Sequence, residues 1–165
     1  MKTVLIPTDF NLESTKAIDA LVQNLEGEKL NLIFVHAFKL SDSITDMLML
    51  SRRSRDYENV SDEFYSLLNE YKNKYQGNIN TIGIEYFYGS TVAAFKNFLE
   101  AFDVDAIAFL KDYKFTPINK YSINPKYLGE RSGCKVLNLN VMKVHPSENL
   151  IETKIYEAEM QEVNA

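Results

Sequence analysis

The chain has 165 residues, enough for one domain with a full hydrophobic core and no need of disulfides or structural metals. Its 45% hydrophobic and 25% charged residues are ordinary for a globular protein, and a net charge of −5 carries no basic excess for DNA, RNA or anionic lipid. The lone cysteine, Cys134, excludes an intrachain disulfide, and no apolar run approaches the about 20 residues that span a bilayer. A single Lys2 precedes a short apolar run ending at Pro7, which is not a signal-peptide pattern. The expectation is a cytoplasmic protein that binds neither nucleic acid nor membrane.

Lys2 to Pro7 is a continuous apolar run, the pattern of a strand covered on both faces. It ends in Pro7-Thr8-Asp9: a ladder-stopping residue, a hydroxyl and a carboxylate. In an open parallel sheet ligands sit at the carboxyl ends of the strands, so Thr8 and Asp9 lie where a small-molecule site would be. Glu13 to Glu26 predicts a helix with Ala17, Ile18, Leu21, Val22 and Leu25 on one stripe, Asn11 as its cap and Gly27 just beyond it. Leu30 to Phe38 is a second strand. Ser41 to Ser54 is irregular and contains a Met47-Leu48-Met49-Leu50 cluster that needs cover. The Arg52-Arg53-Ser54-Arg55 patch reads as a solvated face.

Asp56 to Tyr75 predicts a longer helix with Phe64, Leu67, Leu68, Tyr71 and Tyr75 inward. Asn80 to Phe87 alternates, as a strand with one less apolar face does at the edge of a sheet. Gly89 turns the chain into a helix over Thr91 to Ala101, with Val92, Phe95, Phe98 and Leu99 inward, and Asp105 to Leu110 is a fourth strand. Tyr113 to Arg131 stays ambiguous, because Pro117 and Pro125 limit any helix there. Val136 to Val141 is a fifth strand.

Strands alternating with helices demand crossover connections. The reading is a single doubly wound α/β domain over 1–145, Rossmann-like, with helices on both faces of a five-stranded parallel sheet in order 3-2-1-4-5. An acidic tail follows over 146–165, where five glutamates from Glu148 to Glu162 stand against Lys154 alone, a charge of −4. Ile151, Ile155, Tyr156, Met160 and Val163 could form a narrow apolar stripe there; a frayed tail is an equal reading.

Few residues suggest chemistry. His36 closes a buried strand and reads as a hydrogen-bonded core histidine; His145 lies before Pro146 in a surface loop. Two distant histidines and one cysteine give no metal-ligand spacing, and no serine–histidine–acid set is evident locally. Cys134 reads as a small buried apolar residue. Lys111, Lys114, Lys120 and Lys126, with Tyr113, Tyr121 and Tyr127 between them, read as a solvated loop with packed tyrosines rather than a nucleic-acid surface.

Several of these residues together resemble the universal stress protein family. They are Ile6-Pro7-Thr8-Asp9-Phe10, Ala17, Phe34-Val35-His36-Ala37, Gly89, Asp105-Ala106-Ile107-Ala108-Phe109 and Cys134-Lys135-Val136-Leu137. The resemblance covers Lys2 to Val141 and implies an adenine nucleotide alpha hydrolase-like fold. In ATP-binding members a loop of pattern G-x-x-G, followed at a distance by G-S or G-T, comes after the fourth strand. Its glycines let backbone N–H groups approach phosphates. Carried onto this chain, those glycines fall on Leu110, Tyr113 and Ser122 or Ile123, and none is glycine. The resemblance therefore implies a degenerate, UspA-like member: a non-enzymatic stress-response or regulatory protein with no cofactor. A residual adenosine half-site would remain at Pro7, Thr8, Asp9 and Ala37. The alternative is a module binding ATP, AMP or another nucleoside through a rebuilt loop, with lysines as phosphate contacts. The resemblance also implies a homodimer through the fifth strand, at Val136, Leu137, Leu139 and Val141.

Overall fold

The computed structural model describes residues 1–39 and 59–140. The Met47–Leu50 cluster, the Arg52–Arg55 patch, the proposed helix start at Asp56, Val141, His145 and the acidic tail lie outside the described residues.

Strand β1 (Lys2–Pro7) is the centre of the sheet, paired in parallel with β2 (Leu30–Phe38) on one side and β4 (Ala106–Leu110) on the other. Val4 and Ile6 face one core and Leu5 the opposite one, as a period of two requires, and all three are buried. β3 (Ile79–Tyr88) joins β2 at one edge and β6 (Lys135–Leu139) joins β4 at the other, giving the order β3-β2-β1-β4-β6. This is the expected 3-2-1-4-5 order once a two-residue strand, β5 (Ser122–Ile123), is set aside. β5 arises inside the ambiguous stretch and pairs antiparallel with the end of β2.

Helices cover both faces. α1 (Ala17–Asn24) and α2 (Asp62–Lys74) supply Ile18, Leu21, Phe64 and Leu68 to a core built on Phe34. α3 (Val92–Ala101) and α4 (Lys126–Arg131) supply Phe95, Leu99 and Leu128 to the other, against Val35 and Ile107.

Two helix boundaries differ from expectation. The turn over Leu12–Lys16 is a 3-10 helix, and α-helix begins only at Ala17. The hydroxyls of Ser14 and Thr15 donate to the carbonyls three residues back, which tightens the turn, and the Asn11 side chain donates to Asp9 instead of capping the helix. α2 begins at Asp62 because Ser61, in extended conformation, caps it by accepting the Phe64 N–H at 3.1 Å. Asp62 and Glu63 open that helix and Lys72 and Lys74 close it, matching its dipole. Cys134 also departs from expectation. It is half-buried just before β6, its thiol pushed up chiefly by burial.

Candidate functional site

The carboxyl ends of β1 and β2 meet a loop that runs from β4 through Tyr113 to β5, and that loop fills the space above them. Asp9 is its main anchor. Asp9 Oδ1 accepts the Asn11 N–H at 3.1 Å and the Tyr113 hydroxyl at 2.6 Å. Oδ2 accepts the Asn11 side-chain amide at 3.0 Å and the Thr116 N–H at 2.9 Å. A carboxylate only 5% exposed is thereby satisfied by four donors of its own chain. Burial, and then the neighbouring Asp9, hold the Tyr113 phenol well above the ordinary tyrosine range.

Thr8 is used up in the same way. Its N–H donates to the Val35 carbonyl, its hydroxyl accepts the Phe10 N–H at 2.9 Å and pairs with Ser14 at 2.7 Å, and its carbonyl accepts from His36 Nδ1 at 2.8 Å. Phe10 takes a φ of 64°, a left-handed conformation that costs a bulky residue roughly 1–2 kcal/mol. The turn is held because Phe10 stacks on His36 at 5.6 Å and meets Phe64 edge-on at 5.5 Å.

His36 is the second anchor, fully buried as the sequence suggested. Its Nδ1 faces the Thr8 carbonyl, an acceptor only, so the proton is on Nδ1. Its Nε2 lies 2.8 Å from Ser122 Oγ, which also accepts the Ile118 and Asn119 N–H groups and therefore donates its proton to the ring. Phe115 stacks flat on the imidazole at 5.6 Å and 15°. Beyond it, Ala37 and Phe38 pair with Ile123 and Ser122, and the Lys39 N–H donates to the Tyr121 carbonyl at 2.8 Å. The backbone at Ala37 is thus engaged by the chain itself.

The His36–Ser122 contact has the spacing of a nucleophile and base, but its surroundings suit a clamp. The serine oxygen already accepts two amides, the ring is inaccessible, and the group orienting Nδ1 is a carbonyl rather than a carboxylate. Among the described residues no three His, Cys, Asp or Glu side chains cluster to hold a metal.

Thr8, Asp9, Ala37 and Tyr113 therefore come together, as their sequence positions implied, and the structure adds Phe115, Thr116 and Ser122. Nothing in the pattern of the sequence marked Phe115 or Thr116, and Ser122 stood out only as a position where the resembled loop would carry glycine. Leu110 packs against the core, and it and Pro7 line a neighbouring cleft. That cleft, about 240 Å3, lies between the ends of β1 and β4, with Ser14, Leu110, Lys111, Tyr113 and Lys126 also on its walls. Cys134 lies at the other end of the sheet, ahead of β6. Of the loop tyrosines, Tyr113 and Tyr121 are packed as expected, whereas Tyr127 is 58% exposed beneath the Arg131 guanidinium. At the outer edge, Val136 and Leu137 of β6 are half-buried, but Leu139 is only 2% exposed. Its side chain packs into the chain's own core.

No family model matches the sequence, and a comparison with curated proteins finds no match. Solved structures do match. Universal stress protein UspA from Lactobacillus plantarum superposes with a TM-score of 0.51 at 14% identity, over 84% of this chain and 97% of that one. The chain has the universal stress protein fold. The same fold is found in the hypothetical protein PH0823, at a TM-score of 0.50 and 16% identity over 87% of this chain and 99% of that one. It recurs in the hypothetical protein MJ0577, at 0.50 and 14% over 86% and 97%. In this version of the universal stress protein fold, the ends of β1 and β2 are covered by the chain's own 111–124 loop. No described helix is long and apolar enough to cross a membrane.

Proposed function

We propose that this chain is a non-enzymatic stress-response or regulatory protein of the universal stress protein type that does not hold ATP at the ends of its strands. One observation carries the reading: Asp9 is the hydrogen-bonding anchor of the 111–124 loop, through Tyr113 and Thr116. Pro7, Thr8, Asp9 and Ala37, the positions of a residual adenosine half-site, act in this reading as the seat of that loop. A nucleoside must break the Asp9 contacts and the β2–β5 pairing before it can enter. The absence of glycine at Leu110, Tyr113 and Ser122 or Ile123 supports the same conclusion for the phosphates. The protein acts through partners, in the cytoplasm and without binding nucleic acid. In this reading it works as a homodimer through the fifth strand, at Val136, Leu137, Leu139 and Val141, along the edge that β6 leaves open among the described residues.

The test is thermal denaturation with ATP and magnesium, ADP, AMP and adenosine, each at millimolar concentration. A ligand at one hundred times its dissociation constant stabilises by about 2.7 kcal/mol. That is roughly 5–10 °C for a chain of this size. The expected result is a flat series. A shift with AMP or ATP replaces this reading with that of a nucleotide-binding module whose loop swings aside.

A further inference from the structure

His36 is buried and gripped in one protonation state. Its ring is closed off from solvent, stacked on Phe10 and on Phe115, with Phe38 and Tyr86 edge-on to it. Nδ1–H donates to the Thr8 carbonyl at 2.8 Å, which leaves Nε2 to accept the Ser122 hydroxyl proton at 2.8 Å. The Ser122 oxygen has no lone pair to spare, because it accepts the Ile118 N–H at 2.9 Å and the Asn119 N–H at 3.3 Å. Nothing in this arrangement receives a second ring proton. An imidazolium turns Nε2 into a donor facing a saturated oxygen, and the serine must then give up an amide and find a new acceptor for its own proton. The charge also sits among apolar rings away from water, and the faces of Phe10 and Phe115 return only part of the lost hydration.

Two anchors hold two halves of the loop. Asp9 grips the first half through Tyr113 and Thr116. His36 grips the second half through Ser122, which ties down the 118–122 turn and the short strand β5. That second half covers the end of β2, where the Lys39 N–H donates to the Tyr121 carbonyl at 2.8 Å. We infer that the His36–Ser122 bond is an acid-operated latch: protonation of Nε2 releases the 118–123 half of the loop and bares the backbone at the end of β2, while the Asp9 half stays seated.

The latched form holds a neutral ring. The released form opens the imidazole to water, where it takes up a proton below about pH 6.5. Release therefore binds one more proton, and its population grows as pH falls, approaching tenfold per pH unit. Of Thr8, Phe10, Phe38, Tyr86, Phe115 and Ser122, which contact the ring from the turn after β1, from β2, from β3 and from the loop, only Tyr86 titrates, and a tyrosine stays neutral in this range. The charged residues next to these in sequence are Asp9, held by its own four donors, and the exposed Lys39 and Lys114. The inference goes beyond the proposed function, since neither a stress role nor the exclusion of nucleotides enters it.

Amide hydrogen exchange between about pH 8 and 5.5 tests the latch, read as protection factors so that the pH dependence of intrinsic exchange drops out. Protection at Ile118, Asn119 and Lys39 is expected to hold above about pH 7 and to fall about tenfold between pH 7.5 and 5.5, while Thr116, bonded to Asp9, keeps its own. Nitrogen NMR of the ring follows the same step, from the neutral Nδ1–H form to imidazolium. His36→Gln, whose side chain does not titrate, removes the pH dependence at all three amides. Flat protection across the range, a fall shared equally by Thr116 and the β1 amides, or a fall that persists in His36→Gln overturns the proposal. If that variant does not fold, the ring spectra of the unaltered chain decide. An imidazolium formed in step with the loss of protection at Ile118 and Asn119 supports the latch. A ring that stays neutral throughout, or one that charges while those amides remain protected, refutes it.

Discussion

Replacing Asp9 by Asn is the most direct perturbation of the loop anchor, because it keeps shape and changes only what the side chain can accept. All four partners of Asp9 are donors. The Tyr113 hydroxyl and the Asn11 amide can turn, but the Asn11 and Thr116 N–H groups are backbone, and one of them faces each carboxylate oxygen. Whichever way an asparagine is placed, its NH2 meets a backbone N–H. One hydrogen bond to a charged group is lost and one buried donor is stranded, a cost of about 2–3 kcal/mol. For a chain of this length that lowers Tm by roughly 5–10 °C. Amide hydrogen exchange locates the loss: the Thr116 and Lys39 N–H groups, bonded to Asp9 and Tyr121, lose protection while the β1 and β2 amides keep theirs. An Asp9→Asn protein that melts within about 1 °C of the unaltered chain, with Thr116 exchange unchanged, refutes the anchor. The Tyr113 phenol adds a pH signature. Its folded pKa is raised, so its contribution is complete below the unfolded tyrosine value of about 10 and fades as pH climbs above it.

Phe64, fully buried and edge-on to Phe10 and Phe34, anchors α2, and Phe64→Ala lowers stability by about 3–5 kcal/mol in chemical denaturation, against less than about 0.5 for the exposed Tyr127→Ala. Ser122, if it is a clamp and not a nucleophile, stays unlabelled by a fluorophosphonate probe followed by mass spectrometry; stoichiometric labelling would reopen the question of hydrolase chemistry. Val136→Lys places a charge on the edge that β6 leaves open among the described residues, and if the proposed homodimer pairs there, sedimentation velocity shows a shift from dimer in the unaltered chain to monomer in the variant.

The order of the sheet was readable because each strand carries its own evidence. Val4, Leu5 and Ile6 are buried on both faces and lie at the centre, whereas the alternation of Ile82 and Ile84 with polar neighbours marks β3 as an edge. Asp9 and His36 were readable as positions and less so as roles. The sequence places both at strand ends, yet their partners lie far along the chain, Thr116 107 residues and Ser122 86 residues away. Local propensity has no access to such pairs, and Pro117 and Pro125 leave the intervening stretch without a period to read. The same limit applies to Phe10, whose strained φ is sustained by rings on β2 and α2 that no local pattern connects to it.

These contacts bear directly on whether the loop is a fixed part of the fold or a cover that a ligand displaces. A removable cover would be expected to leave satisfied groups behind when it lifts. Here lifting it strands the Asp9 carboxylate with only the two Asn11 donors, frees His36 Nε2 from Ser122, uncovers the imidazole face under Phe115 and breaks the two-residue β5 ladder. Buried polar groups without partners cost about 1–3 kcal/mol each. A nucleoside entering this site must therefore replace a carboxylate's donors, an imidazole's partner and a stacked ring at once. Adenine supplies a flat ring and an amino donor but no equivalent of the backbone pairing at Ala37 and Phe38. On these terms the loop belongs to the fold, and a Phe115→Ala chain should remain closed to adenosine, because removing the ring leaves the Asp9 and Ser122 anchors in place. Isothermal titration of that variant decides the point: adenosine binding gained on loss of the ring alone would show that stacking, not the Asp9 anchor, keeps the site shut.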